Sequence, residues 1–570
     1  MITWEYVVGF MLLYTVIAMI VQKKDLIPNS FSVWGPILTI RSELGLKKID
    51  SLAKKYHRFW VPWGTLGVIF AILTAIIGVL FVVVSVFGIL TRPNEVAIQG
   101  PTDMIVIPGV NRFLPLSAAP EIILGLTIGM VVHEMGHAIL CRVGNINVKS
   151  TGVILGALIP LGAFVEPDEE SSKKADVKSQ LRMYAAGIMN NFAIFAISII
   201  GLFLIVSLLI SPAPGIGISM VLDDSPAERM GISDGDRITG VDNETITSQE
   251  QFMSLIEDDA KTLTVNENEN IDIEGSAYVT RVPDGYELKP TDTILEINGE
   301  RINSPSELRT KMVSVEDNYA NLKLENGDEI EFPIGAYITS EQKTGLMNDM
   351  NLNQGESTFI FAVDGVRVYD GQDLVDKVNR ENETSITYLD ENGEITTKNV
   401  NISDGDDSAF ISSNISGLST SILGVNIYPT EQFYNLLTPS DTILGNLQSI
   451  FGLLLLPLAS LTPGITANFP GFTPHIQNFY VMSAGVPEFA VGTLYFAANV
   501  MFWTAWMNFN LAIFNCIPTF ALDGGHILRA SFDMVFENHL SERSISSMII
   551  GIKSILLLSL LTILLIPIIL

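Results

Sequence analysis

Residues 131–140 read VVHEMGHAIL. His133 and His137 stand four apart, a spacing that stacks them on one face of a helix. Two neutral imidazoles so placed reach a single zinc ion and leave Glu134 beside the open coordination position, the arrangement that hydrolytic zinc sites use. Ionisable side chains are costly inside an apolar segment, and metal ligation offsets that cost. The competing reading is a satisfied pair of core histidines. The chain has only 6 His in 570 residues, so two of them in an HExxH motif in the middle of an apolar run favour the metal.

Two histidines do not complete a site, because a catalytic zinc takes a third protein ligand and keeps one position for water. The stretch MNFNLAIFNCIPTFALDGGHILRA supplies it. Asp523 is the only carboxylate between Glu488 and Asp533, and its charge offsets that of the metal. His526, three residues on, is the alternative ligand. Only Cys141 and Cys516 occur, which excludes a disulfide framework or a cysteine zinc cluster.

The elements that must hold these residues are apolar runs. Hydrophobic residues make up 48% of the chain, too apolar for an ordinary soluble protein of this length. Six runs near 4–21, 62–90, 119–142, 182–210, 491–515 and 547–569 approach the roughly 20 residues that cross a bilayer. The first lacks a basic leading region and a small-residue cleavage site, so a retained anchor is expected. Lys and Arg collect in the loops after the first and third runs, at Lys23, Lys24, Arg41, Lys47, Lys48, Lys54, Lys55 and Arg58, and at Arg142, Lys149, Lys173, Lys174 and Lys178. Those loops are therefore expected on the cytoplasmic side. The segment 41–60 reads either as an interfacial amphipathic helix or as a plain basic loop. A shorter run at 444–461 is expected not to cross, but to lie at the surface or re-enter. A full crossing would misplace the basic loop near 525–553.

Between residues 213 and 440 lie 43 acidic and 14 basic residues, an excess equal to the whole net charge of −29. Such a block repels phosphates and excludes nucleic acid as a partner. By parity it lies outside, where it also holds the sequons at Asn243, Asn382, Asn401 and Asn414. Its opening, GISMVLDDSPAERMGISDGDRITGVDNETITSQEQFMSLI, alternates strand patterns, turns and a helix as a compact α+β module does. The pattern returns at 283–313, and a degraded third echo lies at 361–380, a spacing of roughly 65–70 residues. These segments resemble PDZ domains of the protease-associated type. That resemblance implies either peptide binding at an exposed strand or steric gating of bulky substrates.

HExxH in one run, with Asn515-x-x-Pro518 and Leu522-Asp523-Gly524 in a later one, resembles the site-2 protease family of intramembrane zinc metalloproteases. The resemblance implies His133, His137 and Asp523 as ligands of one zinc ion and Glu134 as the catalytic glutamate. It also implies Asn515 as a group that positions substrate. AAGIMNNFAIFA at 185–196 is similar to the family's Gly-Pro-x-x-Asn helix, with Gly187 and Asn191 in matching places. Asn191 joins Asn515 as a candidate for polarising the scissile carbonyl. Ile188 replaces a family proline, and Phe520 stands where another is frequent. STGVILGALIPLGAFVEPDEE at 150–170 resembles the family's membrane-associated β-hairpin, whose edge strand pairs with substrate.

The expectation is a polytopic α-helical membrane protein of about six spans with an inserted extracytoplasmic α+β PDZ-like tandem. It would act as an intramembrane zinc metalloendopeptidase on membrane-spanning protein substrates. The plasma membrane of a prokaryote is the expected location, with the site in the cytoplasmic half of the bilayer. The boundaries read as 1–118 for an N-terminal membrane region, 119–210 for the first half of the core, and 211–275, 276–340 and 341–430 for the modules. A non-spanning segment at 431–490 and the second half of the core at 491–570 complete the chain. Two rivals are an inactive membrane-anchored PDZ receptor, which needs no full ligand set, and a metal transporter. A transporter would string ligands along several spans, and the other runs offer almost none.

Overall fold

The computed structural model describes the chain outside residues 1–3, 24–29, 35–36, 44, 92–100, 105, 157–158, 258–260, 274, 340–356, 379–382, 391, 401–413, 462–468, 521, 537 and 570. The sequons at Asn382 and Asn401, and Lys24, lie outside the described residues. Two compact units emerge. One comprises Met1–Ser211, Tyr434–Thr473 and Met482–Leu570; the other Pro212–Phe433 and Pro474–Val481.

The first unit begins with helix α1 (Trp4–Lys23), strands β1 (Phe31–Trp34) and β2 (Ile37–Ser42), and helices α2 (Leu46–Lys55) and α3 (His57–Thr91). Helix α4 (Ala119–Val143) follows, with Pro120 in its first turn and Gly144 just past its end, both at positions those residues favour. Then come β3 (Val148–Gly156), β4 (Ile159–Pro167), α5 (Glu169–Lys174) and α6 (Val177–Leu209). The Asp168 and Asp176 carboxylates cap α5 and α6 by accepting from the backbone N–H of Ser171 and Ser179.

The four strands form one antiparallel sheet in the order β1-β2-β3-β4, with Ile40 opposite Val153 and Val153 opposite Ala163. Phe31–Trp34 and Ile37–Ser42, expected within a basic loop, are thus two antiparallel strands added to the expected hairpin. A Cβ on Gly152 would lie 2.3 Å from the Ile40 carbonyl oxygen and 2.4 Å from the Phe164 ring, so only glycine fits there. The described part of the 41–60 segment holds the end of β2, then α2 and the start of α3. Ala53 packs with Ile139, Leu140 and Ala186, and Asp50 pairs with Arg142 at 2.8 Å, which seats α2 against the end of α4.

The second unit repeats one succession three times. The first copy has β5 (Ile216–Val221), α7 (Pro226–Arg229), β6 (Arg237–Val241), β7 (Glu244–Thr245), α8 (Gln249–Glu257), β8 (Thr262–Val265) and β9 (Glu269–Asp272). The second has β10 (Ala277–Arg281), β11 (Thr293–Ile297), β12 (Glu300–Arg301), α9 (Pro305–Val313), β13 (Tyr319–Leu324) and β14 (Glu329–Pro333). The third has β15 (Ala336–Thr339), β16 (Ser357–Val363), β17 (Val366–Arg367), α10 (Gly371–Lys377), β18 (Thr384–Leu389) and β19 (Ile395–Val400). Each short hairpin before the helix turns through two left-handed residues, Asp242-Asn243, Asn298-Gly299 and Asp364-Gly365. That is the turn whose twist matches antiparallel strands.

The modules are not contiguous along the chain. Strand β20 (Ser419–Ser421) pairs with β10 of the second module, and β21 (Val425–Tyr428) pairs with β5 of the first. Between them Gly424, at φ +67°, sits against Ser225 and Tyr278, where a Cβ would come within 2.6 and 2.8 Å. The Tyr278 hydroxyl donates to the Asp223 carbonyl at 2.8 Å, and Arg229 pairs with Glu325 at 3.1 Å. One strap therefore closes both sheets. The stretch Pro474–Val481 belongs to the same unit, with the Ala213 N–H donating to the Phe479 carbonyl at 2.9 Å.

The first unit resumes within α11 (Thr430–Leu437), at Tyr434, and continues with α12 (Ile443–Leu455). Thirteen residues rise only about 20 Å, short of the ~30 Å hydrocarbon core. After α13 (Pro474–Gln477) of the module unit, α14 (Glu488–Cys516), α15 (Asp523–Phe536) and α16 (Glu542–Ile569) complete the chain. Among the described residues, four helical segments, His57–Thr91, Leu116–Val143, Val177–Leu209 and Glu542–Ile563, are long and apolar enough to cross a membrane. The other two expected spans are also helices. In α14, however, Asn499, Thr504, Asn508, Asn510 and Asn515 dilute the apolar character.

Candidate metal centre

Glu121, Gly125, Gly129, His133 and His137 recur at every fourth position of α4 and so form a stripe that winds slowly along the helix, each member above the one before. The glycines let α14 approach. A Cβ on Gly125 would lie 2.9 Å from Thr504 Cα, and one on Gly129 would lie 2.9 Å from Asn508 Oδ1. Residue numbers rise together along this seam, so α4 and α14 run in the same direction. Asn508 is fully buried and donates to the Thr504 carbonyl at 2.8 Å. Where this seam ends, α14 gives way to a tight turn and α15 begins at Asp523. Cβ atoms on Gly524 and Gly525 would meet the carbonyl oxygens of Cys516 and Thr519 at 2.2 and 1.8 Å. These two glycines are what allow the turn to fold so closely and set Asp523.

Three atoms converge there. His133 Nε2 and His137 Nε2 are 3.1 Å apart, and Asp523 Oδ2 lies 3.1 Å from the first and 3.3 Å from the second. Ligands bound tetrahedrally at 2.0–2.1 Å lie roughly 3.3 Å from one another, so the triangle fits one zinc ion without rearrangement. His133, Glu134 and His137 also present ligand atoms within 4.8 Å of one another. The Glu134 carboxylate faces the backbone N–H of Val165 on β4, which brings that strand to the edge of the site. The His137 Nδ1–H donates to the Met183 carbonyl at 2.7 Å, leaving the Nε2 lone pair for a metal.

Helix α6 walls the other side. A Cβ on Gly187 would lie 2.5 Å from His133 Cε1 and Nε2 and 2.6 Å from His137 Nε2, filling the space at the ligand atoms. Asn191 is completely buried, with its amide 3.1 Å from His133 Nδ1. Asn190, which the sequence did not single out, ties three helices together. It accepts from Trp63 Nε1 at 2.9 Å and donates to the Val132 carbonyl at 2.9 Å. Its only signal in the sequence was the adjacency to Asn191. Asn515 is half-buried in the last turn of α14 and makes no hydrogen bond among the described residues. His526 is exposed and stacks on Tyr184 at 4.8 Å between centroids; the structure groups Asp523, not His526, with the histidine pair.

The model of peptidase family M50 matches residues 121–560, well over half of the chain. The chain belongs to peptidase family M50. This M50 protein is 31% identical over 173 residues to an uncharacterized protein of Methanocaldococcus jannaschii, covering 30% of this chain and 44% of that one. It is 23% identical over 210 residues to a protein of Arabidopsis thaliana described as a membrane-bound transcription factor site-2 protease homolog, covering 36% of this chain and 40% of that one. The match thus spans less than half the length of either relative. Four long apolar helices carrying inserted β-rich modules suit an M50 protease of the membrane with extra domains.

Proposed function

We propose that this M50 protein is an intramembrane metalloendopeptidase that hydrolyses peptide bonds in or near transmembrane segments of membrane-tethered proteins. The observation that carries the reading is the triangle of His133 Nε2, His137 Nε2 and Asp523 Oδ2, with Glu134 beside it. One zinc ion held there would supply Lewis acidity and lower the pKa of bound water toward ~7. Glu134 is the general base, and the same carboxyl then delivers the proton to the leaving amine. Asn191 and Asn515 are proposed as amide groups that orient the scissile carbonyl.

A helical substrate segment satisfies its own backbone and must unwind to be cut, exposing amides in a medium without water. Strand β4 is an edge of its sheet, and its outer backbone groups are proposed to pair with the unwound segment. The three modules are proposed to be PDZ-like and extracytoplasmic, recognising or gating substrate. Helix α12 is proposed to lie at the outer surface or re-enter without crossing. On this reading six helices span the plasma membrane of a prokaryote, and the site sits in the cytoplasmic half. A PDZ receptor without catalysis would have no use for three ligand atoms held at metal distances.

The test is Glu134→Gln in the full-length protein. The variant should retain zinc and lose cleavage of a membrane-embedded substrate. Full cleavage by that variant would remove Glu134 from the chemistry.

A further inference from the structure

The zinc reading constrains the two histidine rings differently. For His137 the partner of Nδ1 is a backbone carbonyl, which only accepts, so Nδ1 carries the proton and Nε2 keeps its lone pair for a metal. For His133 the partner of Nδ1 is the Asn191 side-chain amide, 3.1 Å away and completely buried. That amide presents an acceptor at one end and a donor at the other, and the end turned away from His133 has no partner among the described residues. As placed, the NH2 end of the amide faces Nδ1 and Oδ1 is the end without a partner, an arrangement in which Nδ1 holds the lone pair and Nε2 the proton. A protonated Nε2 cannot bind a metal, although it is Nε2 that lies 3.1 Å from both Asp523 Oδ2 and His137 Nε2.

We infer that Asn191 is the positioning residue of His133. With the amide turned end for end from its placement here, its Oδ1 accepts from Nδ1–H, fixes the tautomer that frees Nε2, and holds the ring plane in the ligand triangle. The inference rests on the zinc-peptidase reading and deepens it. Metal-bound histidines characteristically give their second N–H to such an acceptor, and losing the acceptor costs 10–100-fold in metal affinity or activity. Gly187, one turn earlier on α6, leaves the room in which both rings reach this position. The segment Gly187-Ile188-Met189-Asn190-Asn191 therefore clears the site, ties α6 to α4, and orients a ligand ring.

The experiment compares Asn191→Ala and Asn191→Asp with the parent in the purified full-length protein. Zinc affinity is read by competition with a chelator of known affinity, and ligand geometry by the visible absorption of the cobalt-substituted protein. Asn191→Ala removes the acceptor and should bind zinc about 10–100-fold more weakly. Asn191→Asp keeps an acceptor and discards the donor; it should bind zinc at least as tightly as the parent, with the cobalt spectrum retained. Unchanged zinc affinity in Asn191→Ala would overturn the inference. So would an Asn191→Asp variant that loses zinc or the cobalt spectrum, because the donor end would then be the one in use. A parent protein that takes up neither zinc nor cobalt would sink the zinc-peptidase reading instead.

Discussion

Gly187→Ala adds a single methyl group, and its consequence follows from distances. The new carbon would stand 2.5 Å from His133 Cε1 and Nε2 and 2.6 Å from His137 Nε2. Ordinary carbon contacts begin near 3.5 Å, so both rings or α6 must yield by about 1 Å. A metal site tolerates roughly 0.2 Å in ligand distance, so the displacement exceeds the tolerance several-fold. Inserting a methyl into a packed interior costs about 1–3 kcal/mol. If the protein relieves that strain by letting the rings part, the same energy comes out of metal binding, a loss of roughly 5- to 150-fold. Zinc retained after graded chelator competition measures it, with Gly78→Ala as the control. A Cβ on Gly78 would meet nothing nearer than Ile517 at 4.0 Å, so that variant should match the parent. Gly187→Ala protein that is folded and holds zinc at parental affinity would refute the packing argument.

Asp523→Ala should lower bound zinc at least tenfold in metal analysis, whereas His526→Ala should leave it unchanged; the reverse would move the third ligand to His526. In the first module, the Lys261 backbone N–H, with that of Thr262, holds the Asp242 carboxyl below the usual carboxylate range at 2.9 and 2.8 Å. A depressed folded value makes the contribution complete above the unfolded value of about 3.9 and lost as pH falls through the folded one. Hydrogen exchange of peptides spanning 237–265, corrected for intrinsic rates, should therefore accelerate on acidification below about pH 4. Asp242→Asn should flatten that dependence, and an identical pH profile in the variant would discount the carboxylate.

Much of the candidate site was legible because its geometry is local. His133 and His137 share a helix face by spacing alone, and Asp523 stands out as the only carboxylate between Glu488 and Asp533. The Asn191 amide could be matched to a family position, but its contact with His133 Nδ1 depends on the rotation of α6 against α4, which no local pattern fixes. The strand pairings were less legible because their partners are remote. β2 meets β3 more than a hundred residues later, at Ile40 and Val153. Six residues of strand among lysines and arginines read as a charged loop. Strands β20 and β21 are three and four residues long, too short for alternation to distinguish them from linker. Their role exists only in the sheets they complete, which is why contiguous module boundaries at 211–275 and 276–340 do not describe how those sheets are closed.

That strap also prescribes an order of assembly. The third module, 336–400, has its described strands in one stretch, bridged by Ser416, which donates to the Tyr369 carbonyl and accepts from the Gly335 N–H; the second waits for residues 419–421, and the first for 425–428. Like nested parentheses, the segment synthesised first is sealed last. A nascent chain halted near residue 418 should shield the innermost module from protease while the two outer sheets stay one strand short, and only the next ten residues would lock the whole array.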